Sequence, residues 1–282
     1  MFSAFLFAVA FTFTPADADL AYQTADSFVE KCTPRDAGTI RGKIASNFLL
    51  DEASKIGADV RRETFMADTP KGMRQFTNLY SEFCVNPASN WVVIVSHYDT
   101  KPGVPCPGAN DGASSSALLI ALAGALGNWQ MPTGNVMLIW TDGEECMEQY
   151  GVNDGLWGSR RAADYLKSKG YPVRAVICID MIGDADLHLS IPANGSAPLT
   201  KIAMHAARRA GYPDLISTLA DHVKDDHVPF VDAGFRAIDL IDFEYGPGNA
   251  YWHTAEDTMA HVSKESLLKT GKILAELLNI LL

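Results

Sequence analysis

Apolar residues along the chain follow two rhythms. Short β-branched and aromatic runs alternate with longer stretches whose apolar positions recur every three or four residues. Thr39 to Ile56 places Ile44, Phe48, Leu49 and Ile56 along one side of a helix, and Gly57 stops it. Val60 to Met66 alternates as a strand does, and Trp91 to Val95 is a β-branched run leading into Ser96-His97-Tyr98-Asp99. A Pro/Gly-rich loop, Lys101 to Gly108, passes through Asn110-Asp111-Gly112 into an Ala/Leu-rich helix, Ser114 to Leu126. A strand follows over Val136 to Trp140, then a helix over Gly158 to Ser168. Arg174 to Ile179 is a buried run ending in Asp180, Leu199 to Ala210 is helical, and Phe235 to Ile241 is a further strand. Ser263 caps a last helix, with Leu267, Leu268, Leu274, Leu277, Leu278 and Leu281 as a wide apolar stripe.

Strands alternating with helices predict a sheet covered by helices on both faces, a three-layer α/β/α sandwich. No internal repeat and no long linker divides the chain, so residues 19–282 are expected to form one domain. With 282 residues, of which 48% are hydrophobic, the chain is long enough to bury a sizeable core. The net charge of −11 speaks against a nucleic-acid surface, which needs clustered Lys and Arg.

Phe2 to Thr14 is almost unbroken apolar sequence, and Ala16-Asp17-Ala18 follows in the A-x-A pattern. This predicts a signal peptide over residues 1–18, cleaved after Ala18, and a secreted or periplasmic protein. The run is too short for a comfortable membrane span, so no stable membrane partner is expected. The five cysteines, Cys32, Cys84, Cys106, Cys146 and Cys178, show no CxxC and no zinc-ribbon spacing. An odd number leaves at least one unpaired, and Cys178 sits inside an apolar run as a small core residue.

The chemistry gathers at strand ends. Val136-Met137-Leu138-Ile139 stops at Trp140-Thr141-Asp142-Gly143-Glu144-Glu145, delivering two adjacent carboxylates. Neighbours on an extended or turning backbone point in different directions, so one Glu can bind a metal while the other faces a substrate. Alone, this is also how an acidic loop closes a strand. His97, Asp99 and Asp180 likewise end predicted strands, and in open α/β sheets that edge binds ligands. His97, Asp111, Glu145, Asp180 and His253 supply the imidazole and carboxylate mix that suits zinc.

These residues carry a family resemblance. His97-Tyr98-Asp99, Gly108-Ala109-Asn110-Asp111-Gly112, Asp142-Gly143-Glu144-Glu145, Ile179-Asp180-Met181-Ile182-Gly183, Asp226-His227-Val228-Pro229-Phe230 and Trp252-His253-Thr254 resemble, in order, the zinc aminopeptidase and glutaminyl cyclase superfamily. The resemblance runs from about residue 38 to the C-terminus. It implies a mixed, mostly parallel sheet. It also implies Asp111, Glu145 and His253 as zinc ligands, Glu144 as general base, and a cis peptide bond between Asp111 and Gly112. His97 and Asp180 would complete a second metal site in the two-zinc aminopeptidases, whereas the cyclases bind one zinc.

The twelve residues 146–157 and Lys224-Asp225-Asp226-His227 are similar to the cyclase branch, closest to the animal type. There Asp180 and the extra acid, Asp225, would join a network around Glu144. Tyr150 stands where animal cyclases have Trp, and Lys224 where they have Gln; both bear on substrate choice, with Trp252 as a further pocket wall. Ser96 and Ser116 replace a cysteine pair. The expected activity is zinc-dependent glutaminyl-peptide cyclotransfer on peptide or protein N-termini, with one zinc. The alternative is a metalloaminopeptidase with two.

Overall fold

The computed structural model describes residues 9–130 and 134–282. Its eight strands are β1 (Arg61–Ala67), β2 (Arg74–Phe83), β3 (Trp91–His97), β4 (Asn135–Thr141), β5 (Val173–Asp180), β6 (Leu189–Ile191), β7 (Ile216–Thr218) and β8 (Ala237–Ile241). They form one mixed sheet in the order β1-β2-β4-β3-β5-β8-β6-β7. The centre is parallel: β4, β3, β5 and β8 run the same way. β1 and β2 join antiparallel at one edge, and β6 lies antiparallel to β8 near the other.

Alternation along the central strands sorts side chains between two cores, as the period of two demands. Val92, Ile94, Leu138 and Trp140 face one side. There they meet helices α1 (Pro15–Cys32), α2 (Ile40–Lys55), α3 (Ser115–Gly127), α5 (Ala197–Arg209) and α7 (Lys264–Leu281). Val93, Val95, Met137 and Ile139 face the other, against α4 (Trp157–Lys169) and α6 (His227–Asp232). The three-layer sandwich expected from the pattern is the observed fold. All five cysteines are free.

The pattern did not anticipate β2. Its buried Thr77, Asn78 and Ser81 break an apolar reading, and each is buried with a partner. Asn78 Nδ2 donates to Gly158 O at 2.8 Å while its Oδ1 accepts from Asp142 N at 3.1 Å. The strand is thereby stitched to the turn after β4.

Part of the expected leader, residues 1–8, lies outside the described residues. The remainder is built into the fold. Thr14 caps α1 reciprocally with Asp17, and Ala18 lies one turn inside the helix, buried. Phe11 exchanges two hydrogen bonds with the Asn279 amide on α7, at 2.8 and 2.9 Å. Phe13 lies so close to Gly271 that a Cβ there would come within 2.2 Å of its ring. The cut expected after Ala18 would therefore remove the cap and first turn of a packed helix and two buried rings. Apolar patterning alone does not distinguish a leader from a helix entry. No helix among the described residues is long and apolar enough to cross a membrane.

The same contacts generate a stability prediction. A chain beginning at Asp19 loses the buried Phe11 and Phe13, and each large-to-small change at such a site costs about 3–5 kcal/mol. Urea denaturation should show it at least about 3 kcal/mol less stable than one beginning at Val9. Equal midpoints would mean that the segment contributes no packing energy.

Candidate metal and catalytic centre

The loops that follow β3, β4, β5 and β8 leave the C-terminal edge of these parallel strands and converge. His97 is the last residue of β3 and Asp180 the last of β5, so both are held by strand pairing itself. Asp99 follows β3, and its carboxylate accepts from the N–H groups of Gly143, Glu144 and Glu145 at 2.9, 3.1 and 3.2 Å. That capture shapes the turn after β4, with Gly143 at φ 80°. A Cβ at Gly143 would meet the rings of Phe76 and Trp157 within 3.0 Å, so only glycine fits.

Asp111 sits in a wide turn, Ala109–Ser114, ahead of α3. The Asp111–Gly112 bond is trans, correcting the expected cis bond; among the described residues the only cis bond is Thr33–Pro34. The sharpness of the loop comes instead from positive φ at Gly108 (66°) and Gly112 (88°). A Cβ on Gly112 would lie 2.9 Å from Asp99 O and 3.0 Å from the His97 ring. Arg35, fully buried, props the loop from below. Its Nε donates to Tyr98 O at 2.8 Å, and its terminal nitrogens donate to Pro107 O and Gly108 O at 2.9 and 2.8 Å.

His253 comes from the loop after β8 and occupies left-handed backbone, φ 54°, which is strained for a histidine. Asp257 ties that loop to the Asp111 turn. It accepts from Asn110 N at 2.7 Å, Asp111 N at 3.2 Å and the Tyr245 hydroxyl at 2.9 Å. Sequence reasoning missed both Arg35 and Asp257, because neither carries a motif of its own.

Asp111, Glu145 and His253 converge. His253 Nε2 is 2.7 Å from Glu145 Oε1 and 3.2 Å from Asp111 Oδ2, and one donor atom from each lies within 4.8 Å of the others. A second group forms around His97, whose Nε2 is 3.2 Å from both Asp111 Oδ1 and Asp180 Oδ1. Asp111 is shared by both groups. Glu145 Oε2 and His97 Nδ1 are buried without a hydrogen-bond partner, although Lys101 Nζ stands 3.3 Å from the former. Two carboxylates and an imidazole with an unsatisfied oxygen fit a divalent cation of the zinc type.

Burial and crowding set the electrostatics. Burial pushes the Asp111 carboxyl up, but hydrogen bonds from His253 and His97 outweigh it and hold it well below the usual range. Burial opposes the charged form of His253, yet Asp111 and Glu145 raise it to about 10. Glu144 is pushed well above the ordinary carboxylate range by burial, then by Glu145 and Asp225. Asp225 is raised likewise, by burial and then by Asp180 and Asp226.

Glu144, Tyr150, Asp180, Lys224, Asp225 and Trp252 line one cleft of about 260 Å³ with the three convergent residues. The Tyr150 hydroxyl donates to Glu144 Oε1 at 2.8 Å, a tie that residue type alone did not reveal. Trp252 stacks on the His253 ring at 4.1 Å, and Phe243 meets Trp252 edge-on at 5.8 Å. The loop carrying Tyr150 folds around Asp154, whose carboxylate accepts from Met147, Glu148 and Gln149 N–H at 2.6–2.8 Å. Ser96 and Ser116 come together with Oγ atoms 3.3 Å apart, and Ser116 Oγ donates to His97 O at 2.7 Å.

The chain is 26% identical over 253 residues to the glutaminyl-peptide cyclotransferase of Drosophila melanogaster, covering 79% of this chain and 70% of that protein. It is 28% identical over 249 residues to the glutaminyl-peptide cyclotransferase-like protein of Mus musculus, covering 78% of this chain and 64% of the mouse protein, just under two thirds of its length. Its fold superposes on a glutaminyl cyclase from an Acidobacteriales bacterium with a TM-score of 0.88 at 27% identity, over 100% of this chain and 98% of that one. It also superposes on a leucine aminopeptidase precursor from Bacteroides thetaiotaomicron with a TM-score of 0.84 at 25% identity, over 96% and 99% of the two chains. The sequence match to peptidase family M28 spans residues 78–278 and takes in every converging group from His97 to His253, so the chain belongs to that family.

Proposed function

We propose that the protein is a glutaminyl-peptide cyclotransferase that closes an N-terminal glutamine to pyroglutamate and releases ammonia. The observation that carries this reading is the placement of Glu144. It is buried at the cleft, hydrogen-bonded by Tyr150, and shares that cleft with Asp225 and Asp180. Its neighbours in sequence and space, Glu145, Asp111 and His253, are the residues that would hold zinc. When bound, zinc would polarise the substrate's γ-carboxamide carbonyl.

The chain's own residues would handle the protons. The α-amine nitrogen bonds to the carbonyl carbon of the γ-carboxamide, Cδ, and the bond from that carbon to the amide nitrogen breaks. Glu144 takes a proton from the amine and returns one to the departing ammonia. A carboxyl raised by burial and by neighbouring acids suits the returning half of that cycle. Tyr150 fixes one oxygen of Glu144, and Asp225 and Asp180 line the same cleft. Trp252 offers an apolar wall that keeps bulk water from competing with the amine.

A second reading, an aminopeptidase, is favoured by one observation. The His97–Asp111–Asp180 group has the make-up of a second cation site. Against it stands Asp225, a second acid deep in the cleft for which simple hydrolysis has no need.

Incubation with a Gln-initiated peptide, read by mass spectrometry, separates the two. Loss of ammonia is the expected outcome; loss of a whole residue would mean aminopeptidase action. Glu144→Gln should lower turnover by about 10²–10⁴-fold while retaining bound metal, since Glu145 is the ligand. Near-normal cyclisation by that variant would end the mechanism. Asp225→Ala should reduce cyclisation in the same direction and to a smaller extent. Chelation should abolish turnover and lower the melting temperature, because Asp111 and Glu145 are then left crowded and unneutralised. One equivalent of zinc should restore both. A need for two would favour the aminopeptidase.

A further inference from the structure

A second and larger depression of about 840 Å³ lies beside the catalytic cleft. The two share Phe243, so a chain leaving the cleft over that ring enters the depression directly. Its charged lining is one-sided: Asp184, Asp186 and Glu244, with no Lys or Arg among the lining residues. The single imidazole, His188, has its Nδ1 3.9 Å from Glu244 Oε2. Asp184 is buried at 5% exposure, and its Oδ2 has no hydrogen-bond partner; the Asn249 side-chain oxygen, also on this lining, is buried and unpartnered too. Native proteins seldom leave such acceptors unsatisfied. Nothing in the proposed chemistry of the cleft uses any of these groups.

We propose that this depression is a subsite for a cationic side chain of the peptide, a Lys or Arg shortly after the N-terminal glutamine. The inference rests on the cyclotransferase reading and names its substrate class. An ammonium or guanidinium supplies donors and charge, which is what the lining lacks. Asp186 and Glu244 are exposed and would act at the rim, where attraction is modest and screened by salt. Asp184, on the same lining, accepts from Asp186 N at 3.1 Å through Oδ1 and keeps its buried Oδ2 unpartnered. Lys224 lines the cleft and a neighbouring depression shared with Tyr150, not the depression shared with Phe243, so like-charge repulsion disfavours the Lys224 side for a basic residue.

The test uses the full chain and three Gln-initiated peptides that differ only at the third residue: Lys, Ala or Glu. At low ionic strength, kcat/KM should be about three- to tenfold higher for the Lys peptide than for the Ala peptide, and lower again for Glu. The order should flatten in high salt. The double variant Asp186→Asn, Glu244→Gln changes only exposed side chains, and it should bring the Lys and Ala peptides together. Equal kcat/KM for the Lys and Ala peptides in the wild type at low salt overturns the subsite and leaves the cyclotransferase standing. A Lys preference that survives the double variant also overturns it. If the wild type cyclises none of the peptides, the cyclotransferase reading falls and the subsite with it.

Discussion

Much of the centre depends on one carboxylate accepting three consecutive backbone N–H groups. Asp99, just after β3, binds Gly143, Glu144 and Glu145 in the turn after β4. Parallel pairing of β3 and β4 sets those two strand ends side by side, and Asp99 converts that adjacency into a fixed turn. With the backbone fixed, the alternation of neighbouring side chains does the rest. Glu145 turns to His253 and Asp111, while Glu144 turns to Tyr150. Were Asp99 absent, three buried donors would lose their acceptor, and the two glutamates would lose the frame that separates their roles.

The same logic is repeated at smaller scale. Asp257 accepts from the turn that carries Asp111, and Asp154 from the loop that carries Tyr150. Buried Arg35 supplies the complementary donors, adding bonds to the Pro107 and Gly108 carbonyls at the entry to the Asp111 turn. Irregular backbone survives in the interior here because side chains complete its hydrogen bonds.

The central strands and the final helix were legible in the sequence because burial on both faces leaves an apolar run, and an amphipathic helix leaves a stripe. The ends of those strands were legible too, since a charged residue closing an apolar run has few places to go except the sheet edge. β2 was not legible. Its buried Thr77 and Asn78 are polar, and their partners, such as Asp142 and Gly158, lie far away in sequence. The packing of Phe11 and Phe13 at the entry to α1 was not legible, because an apolar run looks the same in a leader and in a helix entry. The tie from Tyr150 to Glu144 and the support from Arg35 and Asp257 depend on loop geometry, which spacing does not encode. The trans bond at Asp111 belongs to the same class: glycines at 108 and 112 made a tight turn legible, but not how it is made.

Strain and unsatisfied groups concentrate where the chemistry is proposed. His97 Nδ1, Glu145 Oε2, Asp226 Oδ1, both ring nitrogens of His227 and both oxygens of Asp239 are buried without partners. Met181 and His253 hold left-handed backbone beside Asp180 and within the convergent group. Each such feature costs free energy, and none is needed to close the core. The helix layer formed by α1, α3 and α7 on one face of the sheet has the reverse character. There Phe13 packs on Gly271, and α1, α3 and α7 meet through apolar side chains. Stability is thus concentrated in the layer behind the sheet, and that surplus is what permits a cleft crowded with mutually repelling acids to keep its shape. A cation held by Asp111, Glu145 and His253 would relieve the crowding at the one place where it is greatest, so occupancy of the site and stability of the fold are expected to be linked.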